Sequence, residues 1–272
     1  MSTGPASRID AITCICTRLR PFGTRNVPRS HGSIAYTYDG ADNLTQKGSV
    51  QQAFNNADEL CWTSPTPSSC STPPTGATTY QYDNRGNRTN VTPSGGQALT
   101  LTYDQMSRLT KYAAASTTSY GYDADGLRMC KVLGSFTQRQ ATGSTQFAWD
   151  VAGPLPFLLD DGSTAYIYGP NGLPLEQVTA SSTLWFHHDQ VGSTRLVTDS
   201  TGVSQATYTF DAFGTVVATT GSITNPLRFA GQYQDAESGF TTCGHATTIR
   251  QQPNSSAATR WFHLRSSPTD MR

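Results

Sequence analysis

The chain has 272 residues and a formal net charge of zero, which argues against nucleic acid as its main partner, because a phosphate backbone needs a basic field. Charged residues make up 14%, against roughly 25% in an ordinary soluble domain, and 36% are hydrophobic, enough for a real core. No apolar run approaches a membrane span, and the abundant Thr, Ser, Gly, Gln and Asn favour strands and turns over helices.

Residues 1–33 carry no repeat and are read as a leader segment. The stretch Ala11-Ile12-Thr13-Cys14-Ile15-Cys16 is too short and interrupted for a signal peptide. Cys14-x-Cys16 has no matching second pair, so no zinc site is expected. Cys61 and Cys70 flank a Pro/Ser-rich loop and are placed to close a small disulfide ring.

From residue 34 a short unit recurs: an aromatic or apolar residue, a spacer, an aromatic residue, Asp, then a turn. It stands as Tyr36-Thr37-Tyr38-Asp39, Tyr80-Gln81-Tyr82-Asp83, Leu101-Thr102-Tyr103-Asp104 and Tyr120-Gly121-Tyr122-Asp123. Variants are Phe147-Ala148-Trp149-Asp150, Tyr166-Ile167-Tyr168-Gly169 and Tyr208-Thr209-Phe210-Asp211. Beyond the first interval the spacing is about 20 residues, the range of stacked or spiral repeat architectures. Aromatics two apart share one face of a strand. The Asp ends the strand, where its carboxylate can accept backbone N–H groups about two residues on. Asp42-Asn43, Gly86-Asn87, Gly126 and Gly214 then supply the positive φ that a tight turn needs. A second strand follows, as in Leu127-Arg128-Met129, so each unit predicts a β-hairpin. One hairpin is marginal in water, so stability has to come from hairpins joined into one long sheet.

Groups that resemble reactive chemistry have simpler readings. His187-His188-Asp189 would need both imidazoles on one ion, but neighbouring strand residues point to opposite faces, so these residues read as structural. The repeat aspartates read as turn caps rather than hydrolytic carboxylate pairs. Arg85, Arg88, Arg108, Arg128 and Arg195 follow turns and read as solvated or cross-strand partners. Cys243 and His245 are discounted as a nucleophile pair. No catalytic, cofactor-binding or metal residue is expected.

Tyr82-Asp83-Asn84-Arg85-Gly86-Asn87-Arg88-Thr89 and Tyr103-Asp104-Gln105-Met106-Ser107-Arg108-Leu109-Thr110 resemble the YD repeat of Rhs-type toxins and teneurin shells over about residues 34–178. The segment 179–240 resembles the family's repeat-associated core. The match runs through His188, Asp189, Gly192, Ser193 and Arg195, then Phe213 and Gly214, then Arg228, Phe229, Gly231 and Gln232. The resemblance implies an all-β fold: antiparallel hairpins forming part of a spiralling β-shell. It implies a wall around a toxin cargo, with parent-shell segments or that cargo as partners, and a secreted or cell-surface location; with no catalytic residue read above, this wall is expected to be non-catalytic. The alternative is a cell-surface carbohydrate-binding or adhesion module, since exposed Tyr and Trp on a polar sheet suit sugars.

After Phe240 the family continues with two tyrosines, Leu, Arg, Ala, Arg, two more tyrosines and Asp-Pro, and this chain does not. Joining the last base of each codon to the first two of the next permits that whole series from Phe240 to Arg250. Residues 241–272 are therefore expected to be read out of frame, to be poorly ordered, and to leave the plug and toxin unencoded in this frame.

Overall fold

The computed structural model describes residues 25–29, 32–134, 144–153, 155–169, 172–243 and 246–248. Among them all regular structure is antiparallel strand apart from one 3-10 turn, Phe229–Gly231. The fold is all-β, as the repeat predicts. No helix among the described residues is long and apolar enough to cross a membrane, which says nothing of a β-barrel.

Strands from Arg25–Arg29 to Ser144–Gln146 form a sheet of twelve in which every strand pairs with its neighbours in sequence. Strands from Ala148–Asp150 to Val216–Thr220 form a second sheet of eight in the same order. Phe147 is the joint: its amide donates to the Met129 carbonyl at 2.9 Å. A third sheet is made by Tyr233–Gln234, Thr241–Cys243 and Ala246–Thr248.

The turns explain why the sequence makes this ribbon. At Asp83 the amide donates to the Asn87 carbonyl, and the Gly86 amide donates back to the Asp83 carbonyl. Asp83 Oδ1 accepts the amides of Arg85 and Asn87, both at 2.9 Å. The same backbone bonds recur at turns starting at Asp39, Asn55, Asp104, Asp123, Gly169, Asp189, Asp199 and Asp211. The residue three after each start has positive φ: Asp42, Asp58, Gly86, Ser107, Gly126, Gly172, Gly192, Gly202 and Gly214. That requirement is why glycine dominates there. Because hairpins alternate direction, all these turns except the one at Asp199 sit on one edge of the ribbon, here called the tip edge.

A register shift sits just before most of these aspartates, at Thr37/Tyr38, Gln81/Tyr82, Thr102/Tyr103, Gly121/Tyr122 and Thr209/Phe210. Each is a bulge, which bends its strand and adds right-handed twist. Repeated along one edge, the bulges curl the ribbon until its start meets its end. Lys47 forms a 2.5 Å ion pair with Asp211, and Tyr36 packs edge-on against Phe213 at 5.3 Å.

The first aromatic of most units is buried, as at Tyr36, Tyr120, Phe147, Tyr166 and Tyr208, and the second is half-buried. One apolar core lies on the second sheet and includes Phe147, Tyr166, Phe186, Val197 and Tyr208. A smaller one lies on the first sheet around Leu101, Leu109 and Tyr120.

The leader lies mostly outside the described residues, but Arg25–Arg29 pairs with Gly32–Tyr38, so regular ribbon begins before residue 34. At the other end, the expected unordered tail is corrected at its start: Thr241–Cys243 is a strand, and Thr241 and Thr242 are buried. Residues 249–272 lie outside the described residues.

Candidate functional site: the tip row and the clasp between the sheets

The repeat-signature residues divide by role. Asp39, Asp83, Asp104 and Asp211 each accept the backbone amides two and four residues on, and the Asp123 carboxylate accepts the Leu127 amide. Asp150 accepts the Ala152 amide. Neighbouring tips are also tied together. Asn43 Nδ2 donates to Asp58 at 2.9 Å, Asn87 Nδ2 to Ser107 Oγ at 3.1 Å, and Arg108 Nη1 to the Asp123 carbonyl at 2.9 Å. Burial alone would raise the Asp83 carboxyl, but hydrogen bonds from Asn87 and Arg85 outweigh it and hold the group below the usual carboxylate value. Asp104 shows the same balance, with Arg108 supplying the bonds. These carboxylates are fully engaged by their own turns.

The aromatics beside them carry cations. Arg88 lies 4.6 Å from the Tyr80 ring and donates to the Tyr82 hydroxyl, while Arg108 lies 5.1 Å from Tyr122. Of the post-turn arginines, read as solvated or cross-strand partners, Arg85 is exposed and Arg88 is buried on its cross-strand partner Tyr82, whereas Arg128 is buried with its partners elsewhere in the chain. A guanidinium over a ring keeps part of its electrostatic stabilisation without water. Tyr38, Tyr103, Tyr122, Trp149 and Phe210 are half-buried on this face, and burial pushes the Tyr103 hydroxyl well above its usual value.

Most of the core-signature residues, far apart in sequence, meet at one place. Gly192, at φ 80°, lets the turn pack on Leu173, where a Cβ would stand 2.7 Å from Leu173 Cδ2. Ser193 Oγ accepts the Ala230 amide, and Thr194 donates its hydroxyl to the Leu227 carbonyl and its amide to the Arg228 carbonyl. Arg228 lies 5.1 Å from the Tyr208 ring and donates to the Asn225 carbonyl and to Gln234. Phe229 packs on Phe210 at 5.6 Å; Gly231 and Gln232 close the 3-10 turn. Arg195 lies over Phe210 and 3.9 Å from Asp189, both partly exposed. Phe213 and Gly214 belong elsewhere, at the meeting with Tyr36 and Lys47.

His187 and His188 face opposite ways. His187 is exposed and bonded to Thr198 at 3.0 Å; His188 packs beside Phe186, and burial lowers its pKa. Among the described residues no group of three or more His, Cys, Asp or Glu is arranged to hold a metal ion. Cys61 and Cys70 form a disulfide with Cα atoms 5.4 Å apart. Cys14, Cys16 and His245 lie outside the described residues.

The residues that sequence reasoning missed form a clasp. Segment Asn225–Thr242 works as a strap: Leu227 and Tyr233 join the core of the second sheet, and Phe240 joins that of the first. Between them Asp235, fully buried, receives Arg128 Nη1 at 2.8 Å and lies 3.4 Å from Lys131. Lys131 also pairs with Glu237 at 3.1 Å, and Tyr120 donates to Glu237. Arg128 further donates to Thr242, and its carbonyl accepts the Trp149 indole N–H. One arginine therefore touches the first sheet, the second sheet and the strap.

No family model matches the chain. In sequence it is 27% identical over 204 residues to double-stranded DNA deaminase toxin A of Burkholderia cenocepacia, covering 63% of this chain and 14% of that protein. It is 26% identical over 225 residues to the tRNA nuclease WapA of Bacillus subtilis, covering 76% of this chain and 9% of that protein. Among solved structures it is similar to the crystal structure of TcdB2-TccC3, at a TM-score of 0.41 and 13% identity over 85% of this chain and 16% of the other. The chain thus resembles, in sequence, short stretches of much longer toxin proteins.

Proposed function

We propose that this chain is a non-catalytic wall segment of an Rhs-type toxin-enclosing β-shell. The observation that carries the reading is the closure of the ribbon on itself: Lys47 and Tyr36 on Asp211 and Phe213, with a strap fastened across both sheets through Arg128 and Asp235. A ribbon that curls through a full circuit and is braced from one side is built to bound a space. The repeat carboxylates of Asp83 and Asp104 support a capping rather than a catalytic role, since Oδ1 of each accepts two backbone amides and Oδ2 a side-chain donor of the same turn. The sequence likeness to toxins is compatible with a toxin, or further shell, as the enclosed partner, and with a secreted or surface location. Within this proposal the residues after Phe240 are read out of frame; sequencing the gene tests that, and it fails if no single-base shift near codon 240 restores the repeat-associated motif.

The test of the wall reading is protease protection. A cargo domain co-produced with the parent shell should survive protease while the shell is intact, and become sensitive when the clasp is broken by Asp235→Ala. Cargo equally sensitive in both cases contradicts it. Retention of the chain on a glycan or cell-wall matrix would favour the adhesion alternative, for which exposed Trp185 and Ile167 on the outer face of the second sheet are the available surface.

A further inference from the structure

Among the described residues the ribbon touches itself edge to tip at one place, and that contact defines a recognition chemistry. Tyr36 and Lys47 are direct cross-strand partners. Lys47 Nζ reaches Asp211 at 2.5 Å and Thr215 Oγ1 at 3.3 Å and lies 5.9 Å from the Phe213 ring, while Tyr36 covers that ring. Asp211 and Phe213 are the first and third residues of a tip, linked by the Phe213 amide bond to Asp211 Oδ1.

Two further tips among the described residues place a large apolar residue at the third position. Met106 and Val191 donate their amides to Asp104 and Asp189 at 2.9 and 3.1 Å, so their side chains leave the ribbon as Phe213 does. Both stand largely open among the described residues: Met106 is 49% and Val191 47% exposed. Asp104 is already paired with Arg108 at 2.6 Å, whereas Asp189 stands 3.9 Å from Arg195 with its side chain 34% exposed, against 2% for Asp211. The Val191 tip is next to the Asp211 tip along the same edge, separated from it by one pair of strands, so the uncovered surface continues the existing seam.

We propose that the Asp189/Val191 tip is a docking point for the edge of a second ribbon presenting a cross-strand lysine and aromatic residue. The occupant is the Tyr36/Lys47 edge of a second copy of this chain, once that edge is released from its own Asp211. The aspartate receives the lysine, and the apolar residue packs under the tyrosine ring. The inference rests on the wall reading, in which ribbon turns stack edge on tip.

The test mixes two forms of the full chain. The donor carries Asp211→Asn and Phe213→Ser, which frees its Tyr36/Lys47 edge; the acceptor is the unaltered chain. Sedimentation of labelled donor should show a complex with the acceptor. Val191→Ser in the acceptor should weaken it about tenfold, and Lys47→Glu in the donor should abolish it. No complex, or one indifferent to both changes, overturns the proposal. Should the double donor lose its β circular dichroism, Phe213→Ser alone serves as donor. Hydrogen exchange at residues 211–215 separates the two readings. If Lys47→Glu in the unaltered chain leaves exchange there unchanged, the wall reading fails. If it speeds exchange and no complex forms, only the docking proposal fails.

Discussion

At the ribbon tips Asp83 and Asp104 commit their carboxylates within four residues of chain, whereas Asp235 in the strap reaches Arg128 across a separation of 107 residues. The tip carboxylates sit in or near water, and their hydrogen bonds fix a local conformation. The strap carboxylate is fully buried, and its bonds fix how two sheets and a third meet. The comparison teaches that one side chain serves as a modest, repeated local device and as a single long-range fastener. The two should fail differently when removed.

The largest effect is expected at the fastener. Asp235→Ala leaves Arg128 buried and uncompensated, which should cost about 3–5 kcal/mol in urea unfolding. Replacing both members, Arg128→Met with Asp235→Leu, should recover much of that loss, because the desolvation cost disappears with the charges. A double change as damaging as the single one would show that the pair does not act as a unit. Phe240→Ala, which empties the strap's anchorage in the first sheet, should cost about 3 kcal/mol by the same measurement.

The intermediate case is the disulfide. Cys61 and Cys70 close a ring with a sequence separation of 9, so Cys61→Ser with Cys70→Ser should cost about 2–3 kcal/mol under oxidising conditions and nothing in excess reductant. The smallest effect is at a single tip. Asp83→Ala removes two amide acceptors at a partly exposed turn and should cost about 1 kcal/mol. A tip that cost as much as the clasp would erase the distinction between the two regions.

Acid should expose the tips collectively. Asp83, Asp104 and Asp211 all have folded pKa values below the ordinary one, the last through Lys47 and its own turn despite burial. Depressed carboxylates contribute stability that is present above about pH 4 and lost as pH falls through their folded values. His188, lowered by burial, adds a smaller loss that begins as pH falls below about 6.5. Denaturant midpoints measured from pH 8 to pH 2.5 should therefore stay nearly level, dip slightly near pH 6, and drop steeply below pH 4.

The tips were legible in the sequence because everything that defines them lies within five residues of the aspartate: the paired aromatics, the positive-φ residue and the returning strand. The tip at Asn55 escaped notice because asparagine stands for aspartate and Phe54 has no aromatic partner two residues before it, although Asn55 Oδ1 accepts the Ala57 and Glu59 amides as an aspartate would. Arg128 follows a turn like Arg108, and nothing local marks it as buried; its partner is set by how far the ribbon curls. That curl arises from bulges, which leave no pattern beyond the residues already assigned to the turn. The resemblance named the segments holding Ser193 and Ala230 but not their meeting, since a serine and a backbone amide carry no pairing signal.

The central claim is that the strap unites two sheets into one wall. Hydrogen exchange followed by mass spectrometry in increasing urea, comparing peptides from residues 44–64 of the first sheet with 194–210 of the second, tests it most directly. The account predicts that both sets open together in the unaltered chain and separately in Asp235→Ala. Separate opening in the unaltered chain, or joint opening in both, would contradict it.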